Sequence, residues 1–144
     1  MTTDYADVPG DVLNALTDIC MSLPDAHEQP AWTGIRWRVR QRTFAHVLGL
    51  AAGSEKAHAR AAQACGDVVV VVFRSRGAEL LALKSAGHPF FEAGWGRDVV
   101  GMVLDADSDW SEVRELMTES YCLMAPKKLV ALVLRPSDTS DDSE

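Results

Sequence analysis

The sequence predicts an α+β fold in which a largely antiparallel sheet packs against helices. Three observations carry that reading. A near-continuous β-branched run from Val68 to Arg74 marks a central strand buried on both faces, and alternation of apolar and basic residues over Ile35 to Arg40 marks a strand with one wet face. Apolar residues at three- and four-residue spacing near both ends mark amphipathic helices. The order is helix, hairpin, strand, helix, strand, helix, joined by turns rather than regular crossovers.

The first helix opens after Asp7 and Pro9, carries Val12, Leu16, Ile19 and Leu23 on one stripe, and ends at Pro24. Residues 25–34, with Pro30 and Gly34, read as a loop. Ile35, Trp37 and Val39 then point inward from the first strand of a hairpin. Its turn falls at Gln41-Arg42, and Thr43 to Leu50 returns. Residues 51–67 are alanine-rich without a stripe and read as an exposed connection.

Beyond the Val68–Arg74 strand, Glu79 to Ala86 suits a short helix stopped by Gly87 and Pro89, and His88 to Gly96 reads as a loop. Asp98 to Leu104 is strand-like. Asp109 with Glu112 opens a helix carrying Trp110, Val113, Leu116, Met117, Tyr121 and Met124, broken at Pro126, and Lys127 to Leu134 forms a last short helix. Residues 1–8 are expected to be flexible, and residues 136–144 to be a disordered acidic tail.

At 144 residues the chain suits one core, placed at residues 9–135. Hydrophobic residues at 47% and charged residues at 24% fit an ordinary globular domain. No apolar run approaches the roughly 18 residues that cross a bilayer, and the acidic start lacks the pattern of a secretory signal, so a cytoplasmic protein without membrane contact is expected. Cys20, Cys65 and Cys122 are odd in number and form no metal or disulfide pattern. The net charge of −7 is concentrated at the ends. Seven of the 21 acidic residues lie in 1–11 and 136–144, leaving 14 to face 14 basic residues between 12 and 135. The body is therefore neutral and has room for a local basic face.

His88-Pro-Phe-Phe, Trp95-Gly-Arg-Asp-Val-Val, Asp109-Trp110 and, most specifically, Glu119-Ser-Tyr-Cys-Leu-Met-Ala-Pro-Lys-Lys-Leu129 resemble the MmcQ/YjbR family. The hairpin from Arg36 to Ala45, following a helix that ends in Leu23-Pro24, is also similar to that family's first hairpin. The resemblance spans roughly residues 9–135. It departs from the family at the Gln41-Arg42 turn, where a glycine is common, and in the long connection at 51–67. It implies a single-domain YjbR/CyaY-like fold, and family members are often labelled DNA-binding by analogy of fold with a phage transcription factor. Fold alone does not establish that role.

Arg36, Arg38, Arg40 and Arg42 stand at two-residue spacing, which puts all four on one sheet face if the strand continues into the turn. Two readings are open. The stripe follows a nucleic-acid backbone, contacting DNA weakly and without reading sequence, or it is the wet face of a half-exposed sheet, neutralised by cross-strand carboxylates. Lys127 and Lys128 either extend a basic surface or complement the C-terminal end of the preceding helix. Arg74 and Arg76 read as a solvated strand end. Trp32, Trp37, Phe44, Phe90, Phe91 and Trp95 are stacking platforms where exposed and anchors where buried, and Trp37 is expected to face inward.

The alternative to nucleic acid is a protein-interaction or small-ligand module with a pocket near Phe90, Phe91, Trp95 and Tyr121. His27, His46, His58 and His88 show no metal-ligand spacing, and Asp105, Asp107 and Asp109 lack the remainder of a calcium loop. There is no phosphate loop and no nucleophile motif. The expectation is a protein without cofactor or catalytic residues, and the oligomeric state stays open.

Overall fold

The Val68–Arg74 run forms the strand around which the sheet is assembled. A computed structural model of the chain describes residues 5–51, 68–92 and 96–139. In chain order the elements are β1 (Tyr5–Ala6), α1 (Gly10–Met21), β2 (Ala26–Pro30), β3 (Ile35–Val39), β4 (Arg42–Leu50), β5 (Val68–Arg74), α2 (Gly77–Ala86), β6 (Phe90–Phe91), β7 (Val99–Leu104), α3 (Trp110–Met124) and α4 (Lys127–Thr139). The sheet runs β2-β3-β4-β5-β7-β6, with β1 paired to the far end of β4, and every pairing is antiparallel. The α+β class with an antiparallel sheet is thus observed.

Helices cover one face. Leu16 and Ile19 of α1 and Val113, Met117 and Tyr121 of α3 bury against Trp37, Val39, Val47, Val71, Phe73 and Met102 of the sheet. The opposite face carries a second cluster, Leu48, Leu50, Val70, Val72, Phe91 and Val99. Burial on both sides explains why β5 is almost unbroken valine. Phe91 lies across Gly101, where an added Cβ would sit 2.4 Å from the ring, so only glycine admits the aromatic there.

Two segments expected as loops contain strands. β2 is an edge strand whose sequence, AHEQP, has no alternating apolar face; pairing with β3 alone specifies it, and the edge tolerates Pro30. β6 adds two residues beside β7. The hairpin turn also starts a residue or so earlier than expected. β3 stops at Val39, and Arg40 adopts a left-handed conformation with φ of 56°. Here Arg40 fills the role that glycine commonly has. The last helix runs past Leu134 to Thr139. The connection at 52–67 and the chain ends at 1–4 and 140–144 lie outside the described residues.

β4 contains a bulge. Trp37 pairs with Ala45 but Arg38 pairs with Thr43, leaving Phe44 opposite no residue of β3 or β5. A bulge sends two successive residues toward one side, and Phe44 and Ala45 both enter the helix-covered core. Ser120 of α3 serves the backbone groups at this point, donating to the carbonyl of Phe44 and accepting from the amide of Arg74 at 2.8 Å.

Candidate functional site

Register sorts the four arginines of the first hairpin. Trp37 and Val39 enter the helix-covered core, so Arg36 and Arg38, which alternate with them, leave the opposite face beside His46 and Thr43. Arg40 stands in the turn and pairs with Asp25 at 3.6 Å. Arg42 is opposite Val39 and therefore shares the side of the sheet that Val39 faces. The continuous stripe of four does not form, because the strand ends before Arg40 and the return strand reverses the facing of Arg42. Trp37 faces inward as expected, fully buried, with its indole N–H directed at Glu28 Oε1 at 3.3 Å.

A neutral side chain aligns the remaining pair. Gln29 Oε1 accepts from Arg36 Nε at 2.9 Å and from Arg38 Nη1 at 3.2 Å. Arg38 Nη2 donates to the carbonyl of Gln41, while its Nε is buried without a partner. An amide oxygen orients guanidinium groups without cancelling their charge. Arg74 joins them: it is opposite Val99 on the same face as Val72, and its Nε reaches the carbonyl of Thr43 at 3.4 Å. Among the described residues, no carboxylate lies within ion-pair distance of Arg36, Arg38, Arg42 or Arg74.

A concavity of about 200 Å³ opens on this face, lined by Trp32, Arg36, His46, Arg74, Val72 and Val99 among others. Trp32, in the β2–β3 loop, is 70% exposed. Gly34 shapes that loop. Its φ is +72°, and an added Cβ would meet the carbonyl oxygen of Val47 at 1.9 Å, so no other residue lets the loop lie against β4. His46 Nε2 is 2.8 Å from the carbonyl of Thr33, which only accepts, so this nitrogen carries the proton. Burial lowers the pKa of His46, the Thr33 carbonyl opposes that shift, and the charge of Arg36 adds to it.

The other candidate residues do not converge on this face. Lys127 and Lys128 open α4 and are exposed, and Leu129 commits that helix to the helix-covered core, across the sheet from Arg36 and Arg38. Phe91 belongs to the second core cluster, and Phe90 is half-buried against the first. Tyr121 is fully buried; its hydroxyl donates to the carbonyl of Pro24 and its ring meets Phe44 edge-on, with centroids 5.4 Å apart. Trp95 lies outside the described residues. Phe90, Phe91 and Tyr121 therefore line no common pocket.

Sequence reasoning passed over two features. Arg74 looked like an ordinary strand end, since its neighbourhood with Thr43 exists only through the β4–β5 pairing. A separate cavity of about 400 Å³ opens on the helix side, between the end of β5, α2, α3 and α4. Phe73, Leu116, Leu123 and Val130 contribute to its apolar lining, with Glu79 and Glu119 among its polar residues. Glu119 had stood out only as the first residue of the C-terminal signature. Among the described residues no three His, Cys, Asp or Glu side chains gather closely enough to hold a metal ion, and no helix is long and apolar enough to cross a membrane.

Comparison with solved structures finds a similar chain in the crystal structure of Deinococcus radiodurans protein DR2400, described as a DUF419 domain. The two share 17% identity and superpose with a TM-score of 0.55, over 85% of this chain and 81% of that one. This likeness supports the fold. No curated protein matches the sequence. The family model described as YjbR matches residues 21–123, most of the length from the end of α1 to the end of α3. The chain belongs to the YjbR family.

Proposed function

We propose that this protein is a non-enzymatic nucleic-acid-binding module that grips phosphate with Arg36, Arg38 and Arg74 and stacks a base on Trp32. One observation carries the reading: Arg36 and Arg38 are oriented by the neutral Gln29 and Arg74 by a carbonyl, so their charge stays available. Guanidinium groups match phosphate oxygens in bidentate geometry, and an exposed indole accepts any base face. None of these contacts reads a base edge, so binding is weak and independent of sequence.

The net charge of −7 does not abolish such a face. Exposed charges more than about 8–10 Å away are largely screened at physiological ionic strength. Three phosphate contacts give an affinity that falls with salt at a log–log slope of about −2 to −3.

Fluorescence anisotropy with labelled single-stranded and duplex DNA over a salt series tests the reading. Binding at low salt that is lost in the Arg36→Ala/Arg74→Ala variant, with a shallower salt slope, is the expected result. Negligible binding by wild type at low salt, or equal binding by both proteins, overturns it.

A further inference from the structure

The arginine face is concave as well as charged, and its shape selects among nucleic acids. Register lays out the floor of the concavity. Arg36, His46 and Val72 are cross-strand neighbours on β3, β4 and β5, and Arg74 is opposite Val99 in the adjoining row. Val72 and Val99 belong to the buried cluster of this face, so the floor between the cations is apolar. Arg36 and Arg74 stand on either side of β4, on strands that run about 10 Å apart. Trp32, 70% exposed, lines the same concavity from the β2–β3 loop.

We infer that this concavity takes one unpaired base of a single-stranded nucleic acid. The base lies between the Trp32 indole and the Val72 and Val99 floor, and the phosphates that flank it meet Arg36 on one side and Arg74 on the other. This rests on the arginines binding phosphate and narrows their ligand to single strands.

The volume suits one base. About 200 Å³ is below the roughly 300 Å³ at which sites for drug-sized ligands begin, but above the roughly 150 Å³ that holds a benzene ring. A base stacked and paired in a duplex enters such a space only by flipping out, whereas the bases of a single strand already splay. A duplex therefore reaches the arginines alone. Cations on both sides of the slot favour a chain over a mononucleotide, which brings phosphate to one side only. His46 adds no charge to the floor. Burial lowers its pKa, the Thr33 carbonyl opposes that shift and Arg36 adds to it, so the imidazole is neutral at pH 7.

Fluorescence anisotropy at low salt tests this with labelled oligothymidylate, an abasic strand and a duplex of equal length, and with thymidine 5′-monophosphate as competitor. Oligothymidylate is expected to bind about tenfold tighter than the abasic strand or the duplex, and to quench tryptophan fluorescence. Trp32→Ala should remove the quenching and bring oligothymidylate down to the level of the abasic strand, while Trp32→Phe should keep most of the margin. Abasic strand or duplex bound as tightly as oligothymidylate overturns the base slot and leaves the phosphate grip of the arginines in place. Competition by the mononucleotide that equals the strand's, nucleotide for nucleotide, overturns the preference for a chain. Binding of none of these probes overturns the slot and the phosphate grip together.

Discussion

Ser120 donates its hydroxyl to the carbonyl of Phe44, the one residue of the β4 bulge that has no cross-strand partner, and accepts from the amide of Arg74 in the next strand. A single side chain thus serves backbone groups on two strands and fixes α3 over the bulge. Ser120 is fully buried, so water cannot replace it. Ser120→Ala leaves a carbonyl and an amide unsatisfied and should cost roughly 2 to 4 kcal/mol in urea denaturation, with the unfolding transition remaining cooperative.

Gly34 and Val47 set a second dependence. Any side chain at position 34 meets the Val47 carbonyl and must adopt a positive φ. Gly34→Ala is expected to destabilise by roughly 3 to 4 kcal/mol, read as a lower denaturant midpoint. The same change moves the loop carrying Trp32, so Trp32 fluorescence should shift even below the unfolding transition.

The residues that the sequence located correctly are those whose neighbours dictate one environment. Val68 to Phe73 reads as a doubly buried strand because five consecutive valines suit nothing else, and Asp109 caps α3, accepting from Ser111 and Glu112 at 3.1 and 3.2 Å. β2 was not legible because AHEQP has no alternating pattern and owes its conformation to β3. The arginine stripe was half legible. Alternation places Arg36 and Arg38 on one face, but where the strand stops, and hence the facing of Arg42, depends on the turn at Arg40. Glu79 and Glu119 are forty residues apart and come to line one cavity only in the folded chain.

That division of the arginines is itself measurable. Arg40 pairs with Asp25 across an exposed gap, with the two side chains 48% and 58% accessible, so Arg40→Ala should change stability by less than about 0.5 kcal/mol. In the DNA titration Arg40→Ala and Arg42→Ala should leave the salt slope nearly unchanged. Arg36→Ala should reduce its magnitude by about 0.7 to 0.9. Equal effects of all three substitutions would restore the continuous stripe and contradict the register.

Glu119 makes stability depend on pH near neutrality. Its folded pKa of about 7 lies above the 4.5 of an unperturbed carboxyl, so the folded chain holds the proton more tightly than the unfolded chain does. The resulting stabilisation is fully present below about pH 4.5 and is lost as pH rises through about 7. His46 acts in the other direction. Its pKa is lowered, so its contribution is present above the ordinary 6.5 and fades as pH falls. The difference between wild type and Glu119→Gln isolates the carboxyl from the histidine. Denaturant midpoints at pH 5, 6, 7 and 8 should show wild type losing stability relative to Glu119→Gln across the series, because the amide does not ionise at any of these pH values. A constant difference would mean that Glu119 ionises as an ordinary carboxyl.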